Sequence, residues 1–273
     1  METIGIIGYG SMADMMVQKW LEKEVLNAHQ IMIHTRSETD RLLQLKDRHQ
    51  EINICSLNEL SACDVLFICV PPLAVLDVLD QLPSAAKSVH TVSVAAAVTL
   101  DKLSKHTTQP ISRYIPTLTS AVGTGVSLVA HGETAGEEEK ARLHRLLSAF
   151  SIVREIEEDQ FDAVSNLTSS SPGFIAALFE EMAKAAVRNS ELSLEEAYEF
   201  LTYALLGTGQ VLVDRGLTFA ETVDRVATKG GITGEGAEVI QKQAPQMFDD
   251  LFTQTMKKYE QLKSQINEAD KHH

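Results

Sequence analysis

The sequence predicts an α/β protein in two parts: a doubly wound parallel sheet over residues 1–158, then an all-helical region over 159–273. Three observations carry this prediction. The first thirteen residues read as strand, glycine-rich turn and helix start. Short apolar runs then alternate with amphipathic stretches as far as Glu157, the pattern of strands linked by crossover helices. Beyond Asp159 the two-residue strand period disappears, and apolar side chains recur every three or four residues, as in Phe174, Leu178, Met182 and Ala185.

Each element follows from local chemistry. Thr3 to Ile7 is a short buried strand. Gly8-Tyr9-Gly10-Ser11-Met12-Ala13 is a G-x-G-x-x-A turn opening a helix over 11–26. Gly8 permits the tight turn, Gly10 lets the backbone approach a pyrophosphate, and Ala13 lets helix and strand pack closely. The helix N-terminus presents unpaired N–H groups, with Ser11 and Met12 in its first turn. This order defines a Rossmann-type dinucleotide site. Strands follow at 30–35, 52–55, 64–70, 88–94, 111–115, 126–130 and 152–156, with helices at 38–50, 73–80, from 100, and at 136–150. Asp64 to Val70 is almost continuously apolar, as a strand buried on both faces must be. Helices are expected over 159–167, 172–190, 194–214, 219–227 and 234–263. The stretch Tyr203–Val213 is densely apolar, so the small helical region is expected to gain core by pairing with a second copy as a homodimer.

Composition narrows the function classes. The formal net charge is −14, which argues against nucleic acid as the partner, since phosphate binding needs clustered Lys and Arg. No apolar run is long enough to span a membrane, and no signal peptide is seen at the N-terminus. Cys55, Cys63 and Cys69 are an odd set without C-x-x-C spacing, which fits reduced thiols in the cytoplasm. The nine histidines show no metal-ligand spacing, and no function is given to His272 and His273. The second strand ends His34-Thr35-Arg36-Ser37, with no carboxylate to accept the ribose 2′-OH of NAD. Thr35, Arg36 and Ser37 instead suit a 2′-phosphate, which favours NADP(H) over NAD(H).

Four segments in order resemble the pyrroline-5-carboxylate reductase family: the 8–13 turn, Ser93-Val94-Ala95-Ala96-Ala97-Val98-Thr99-Leu100, Thr168-Ser169-Ser170-Ser171-Pro172-Gly173-Phe174, and Ala227-Thr228-Lys229-Gly230-Gly231-Ile232-Thr233. The departures matter as well. The family's Val-Lys-Pro is Val70-Pro71-Pro72 here, and its Met-Pro-Asn-Thr-Pro is Ile115-Pro116-Thr117-Leu118-Thr119, so a lysine and a polar asparagine anchor are gone. Lys229 replaces a loop proline, and Gly173-Phe174 replaces Ala-Tyr. Among family members the pattern is most like the ComER-like late-competence proteins of Gram-positive bacteria.

The resemblance implies hydride transfer from NADPH to the carbon of a cyclic imine, giving proline. It also implies a site for a small imine or amino-acid-like substrate. On that reading Lys229, Gly230, Gly231, Ile232 and Thr233 form the substrate loop, a nest of N–H groups at a helix N-terminus near Gly234 that takes the carboxylate. Thr233 and Ser171 are the candidates for hydrogen bonding to substrate, and both also suit helix N-caps. Val70, Pro71 and Ala95 fall on the cofactor side. Two other readings stay open: a ComER-like regulatory protein that binds nucleotide without turnover, and a β-hydroxyacid dehydrogenase, whose Lys-x-x-Asn pair Lys184-Ala185-Ala186-Val187 lacks.

Overall fold

The computed structural model describes residues 2–83, 89–228 and 230–271. Eight strands form one sheet: β1 (Ile4–Ile7), β2 (Ile31–His34), β3 (Asn53–Ile54), β4 (Val65–Ile68), β5 (His90–Ser93), β6 (Ile111–Ile115), β7 (Gly125–His131) and β8 (Ser151–Glu155), in the order β3-β2-β1-β4-β5-β6-β7-β8. Ser88, expected to open the fifth strand, lies outside the described residues, as does the His272–His273 pair. Ile4 pairs with Ile31 on one side and Val65 on the other, both in parallel. The strand order therefore reverses between β1 and β4, and such a switch point opens a crevice at the carboxyl ends of the strands.

The expected all-parallel sheet needs one correction. β6 and β7 are antiparallel, with Ser112 opposite His131 and Ile115 opposite Leu128. Only residues 116–124 join them, closed by Gly123 at φ +79°. That link is too short for the crossover a parallel pair requires.

Both sheet faces are covered. Along β4, Val65 and Phe67 enter one core cluster, with Trp20 and Phe150, while Leu66 and Ile68 enter the other, with Leu79 and Leu103. This alternation on a strand buried on both sides is what an uninterrupted apolar run encodes. Helices α1 (Ser11–Glu22) and α5 (Glu137–Ser148) supply the first cluster. Helices α2 (Asp40–Arg48), α3 (Val75–Gln81) and α4 (Leu100–His106) complete the alternating part.

The chain separates into two compact units, 1–170 with 256–273, and 171–255. This differs from a single break at 158. Helical structure begins with α6 (Phe161–Ser165), but Phe161 is fully buried in a cluster with Ile115, Leu128 and Ala130, so α6 belongs to the sheet unit. The last helix, α10 (Ile232–Asp270), also ends there, with Ile266 buried beside Tyr259 and Leu262. The second unit consists of α7 (Ser171–Arg188), α8 (Leu194–Arg215), α9 (Phe219–Val226) and the earlier turns of α10.

Candidate active site

The glycine turn has the geometry its sequence promises. Gly8 sits at φ +86°, and a Cβ there would lie 2.6 Å from the Cys69 carbonyl oxygen. No other residue satisfies both constraints. The Gly8 N–H donates to the His34 carbonyl at 2.8 Å, which ties the turn to the end of β2. Gly10 caps α1 without a side-chain hydrogen bond, and nothing lies within 4 Å of a Cβ built on it. The backbone at Gly10 is thus open to close approach beside the N-terminus of α1, where an anion site would lie. Ala13 is fully buried. Tyr9 turns inward and donates its hydroxyl to Asp14 Oδ1 at 2.9 Å. Burial, with help from Asp14, pushes its pKa up.

Gly8, Thr35, Arg36, Val70 and Pro71 line one cavity of about 190 Å³ beside β1 and β4. Ser11, Met12, Ala13, Ser37 and Ala95 are not among its walls. Ala95 is buried just past the end of β5, at the same carboxyl edge of the sheet. Glu38, the nearest carboxylate in sequence, is held by Lys46 at 3.0 Å. Arg36 is exposed and enters no ion pair among the described residues. The Thr35 hydroxyl donates to the Ser37 carbonyl at 3.1 Å and shapes the turn between them. His34 Nδ1 donates to the Cys55 carbonyl at 2.9 Å, so this ring forms part of the wall rather than a surface side chain. Leu57 and Ala74 also line the cavity. The sequence reading missed them because both follow weak elements, a two-residue strand and a Pro-Pro turn.

The substrate-side candidates lie in the second unit. The Gly231 N–H donates to the Thr228 carbonyl at 2.8 Å, and Gly230 sits at φ +72°. A Cβ on Gly231 would come within 2.3 Å of Thr228 Oγ1. Glycine suits both positions, Gly230 for its positive φ and Gly231 for its close approach to Thr228. Lys229 lies outside the described residues. Helix α10 begins at Ile232, two residues before the expected start, so Thr233 is an exposed first-turn residue and not the cap. Ile232 is 94% exposed. The serine run also departs from expectation. Ser171 does not cap a new helix, because residues Asn166–Ser170 are a π-helical turn that leads directly into α7.

Thr117, where the family resemblance has asparagine, is buried. Its hydroxyl reaches the Thr168 carbonyl at 3.1 Å, and the Ser169 hydroxyl donates to the Pro116 carbonyl at 2.8 Å. A polar anchor at this strand end persists in another form. Cys69 is a packing thiol, with its pKa pushed up to about 12 by burial, and none of the three cysteines is in a disulfide. Lys184 pairs with Glu180 and Glu181 on the surface of α7, each at 2.9 Å. Among the described residues no three His, Cys, Asp or Glu side chains gather as a metal site, and no helix is long and apolar enough to cross a membrane.

A nucleotide-type glycine turn at the switch point of a doubly wound sheet, followed by a helical unit, defines the class of two-domain dinucleotide-fold proteins. Comparison with known proteins narrows it. Residues 158–262 match the model described as pyrroline-5-carboxylate reductase dimerisation, and residues 3–97 match NADP oxidoreductase, coenzyme F420-dependent. The chain is 49% identical to pyrroline-5-carboxylate reductase 3 of Bacillus subtilis, over 97% of this chain and 98% of that one. It is 31% identical to ComE operon protein 4 of the same organism, over 94% and 95%. The fold matches the crystal structure of Plasmodium falciparum pyrroline carboxylate reductase with TM-score 0.82 at 18% identity, covering 97% of this chain and 98% of that one. The protein belongs to the pyrroline-5-carboxylate reductase family.

Proposed function

We propose that this protein is an NADPH-dependent reductase that converts pyrroline-5-carboxylate to proline, in the cytoplasm and as a homodimer. The observation that carries this reading is the end-to-end 49% identity to a protein named for that reaction. The glycine turn and the unpaired Arg36 supply the physical support. NADPH held at this turn would supply the hydride for the imine carbon, with one proton from solvent balancing the reduction at nitrogen.

The chain's own residues bind and orient. Gly8, Gly10 and the first turn of α1 take the pyrophosphate, with Ser11, Met12 and Ala13 at that turn. Arg36, with Thr35 and Ser37, takes the 2′-phosphate. Val70, Pro71 and Ala95 bound the cofactor on the sheet side. Gly230, Gly231 and Ile232 open the N-terminus of α10, whose free N–H groups suit the substrate carboxylate, with Lys229 adding positive charge beside them. Thr233 and Ser171 offer hydroxyls to the substrate. No nucleophile is needed, because positioning of two reactants carries the rate.

The test is oxidation of NADPH by the purified protein with pyrroline-5-carboxylate, repeated with NADH and with Arg36→Ala. Saturable turnover is expected, faster with NADPH. Arg36→Ala should raise KM for NADPH by about tenfold and leave KM for NADH unchanged. NADPH binding without turnover on any cyclic imine would overturn the reductase reading in favour of a regulatory nucleotide binder.

A further inference from the structure

The chain from α6 into α7 is continuously helical from Phe161 to Arg188 except that Asn166–Ser170 are π-helical. Pro172 accounts for an interruption here. In an α-helix the N–H of residue 172 would donate to the carbonyl of residue 168, and proline has no N–H. Thr168 is left with a carbonyl that lacks its helical donor. A single π turn inside a helix is rare, and such turns concentrate at functional sites.

That carbonyl is the one Thr117 reaches. Thr117 is 1% exposed, and its Oγ1 donates to the Thr168 oxygen at 3.1 Å. With its proton committed there, Thr117 Oγ1 accepts from Thr119 Oγ1 at 3.2 Å. One residue back on the first segment and one forward on the second, the direction reverses: Ser169 Oγ donates to the Pro116 carbonyl at 2.8 Å. Two neighbouring residues after β6 and two neighbouring residues of the π turn thus exchange a side-chain-to-backbone bond each way. Strands β1, β4, β5 and β6 are mutually parallel, so Thr117 leaves the sheet at the same edge as Gly8, Val70 and Ala95. Ligands of doubly wound sheets bind at that edge.

We infer that Thr117 is a positioning residue of the reductase. It acts by closing this two-bond clasp and holding the π turn Asn166–Ser170 in one geometry at the carboxyl edge of the sheet. The inference rests on the proposed reductase function for its kinetic readout, though the clasp has a readout of its own. Threonine suits the task because its hydroxyl donates to the freed carbonyl and its methyl group fills the buried site. Valine keeps the shape and removes the donor, whereas serine keeps the donor.

The experiment compares wild type, Thr117→Val, Thr117→Ser and Ser169→Ala in pyrroline-5-carboxylate turnover, NADPH titration and amide hydrogen exchange over 166–170. Thr117→Val is expected to lower kcat about tenfold, with NADPH affinity unchanged and faster exchange in the π turn. Thr117→Ser should restore most of the rate. Adding Ser169→Ala to Thr117→Val should cost less than the two separate losses combined, since each breaks the same clasp. Wild-type kcat and exchange in Thr117→Val would overturn the inference, as would equal loss in the serine variant. If the wild-type protein does not reduce pyrroline-5-carboxylate, the functional reading falls. The clasp is then judged by exchange alone: faster exchange in Thr117→Val but not Thr117→Ser upholds it, and unchanged exchange removes it.

Discussion

The two units of the chain differ most in what they do with their apolar side chains. The sheet unit buries Trp20, Phe67, Phe150, Phe161 and most of its Ile, Leu and Val. In the second unit Ala183 and Ala197 are the only buried residues among those described. Its large apolar side chains lie open instead: Phe200 is 59% exposed, Tyr203 67%, Leu206 55% and Val213 81%. These four stand on α8, a helix apolar around much of its circumference. A helix of that kind is buried in some larger core. The first unit therefore carries a core within one chain, whereas the second is half a core whose remainder must come from elsewhere. The match of this region to a dimerisation model agrees with that division.

The comparison breaks most visibly if the second unit is self-sufficient. Leu206→Glu with Val213→Glu should turn a dimer into a monomer at micromolar concentration, a change of at least a hundredfold in Kd, and should remove reductase activity. Light scattering decides it. A wild-type protein that is already monomeric at that concentration would show that the exposed faces serve another purpose.

The first unit should fail through its interior instead. Trp20 is fully buried, stacks at 5.3 Å from Phe67 and 6.2 Å from Phe150, and donates Nε1–H to the Leu146 carbonyl at 2.9 Å. Trp20→Ala should cost about 3–5 kcal/mol in urea unfolding. A loss under about 1 kcal/mol would mean that the core is looser than its packing indicates.

A smaller effect concerns pH. Buried His90 and Ser112 and half-buried His131 form a hydrogen-bonded chain across β5, β6 and β7, with contacts of 2.8 and 2.7 Å. Burial first, then the nearby His131 and Arg142, moves His90 from 6.5 down to about 3. Burial lowers His131 as well. His90 is thus neutral when folded and takes up a proton on unfolding. Stability is full above pH about 6.5 and declines as pH falls toward about 3. Between pH 7 and 4.5 the loss should be roughly 1–3 kcal/mol, and His90→Gln should flatten the slope. An unchanged slope in that variant would assign the acid sensitivity to other groups.

The parts of the fold set by local chemistry were legible in the sequence. Gly8 and Gly10 stand where a turn and an open helix end need them, and the apolar run from Val65 to Ile68 marked a strand buried on both faces. The features that escaped depend on partners far along the chain. The reversal at β7 is the exception: the shortness of the 116–124 link fixes it locally, although the texture of the strands themselves carries no sign of it. Pro172 looked like the first residue of a helix, whereas the π turn at Asn166–Ser170 lets helical structure run through it, and the Thr117 hydroxyl that meets the Thr168 carbonyl lies 51 residues away in sequence. The spacing of Tyr259, Leu262 and Ile266 showed a helix face without showing that its destination was the sheet unit. Among the cofactor-side candidates, Gly8, Thr35, Arg36, Val70 and Pro71 share one cavity, and the others do not line it. Ser171 and the described part of the 229–233 loop lie in the second unit, and there the resemblance, more than any local pattern, singled them out.

Helix α10 makes the sheet unit discontinuous in sequence. Its last turns close one face of the sheet: Ile266 enters that core, Lys263 pairs with Asp162 at 2.7 Å, and Asp270 meets both Lys102 and His106. The interior of that unit is thus assembled from two stretches, 1–170 and 256–273, with the whole second unit threaded between them. A single cut within α10 would release the closing stretch and open the apolar face around Ile266 to water and to proteases, although the cut itself lies far along the chain from the strands it uncovers.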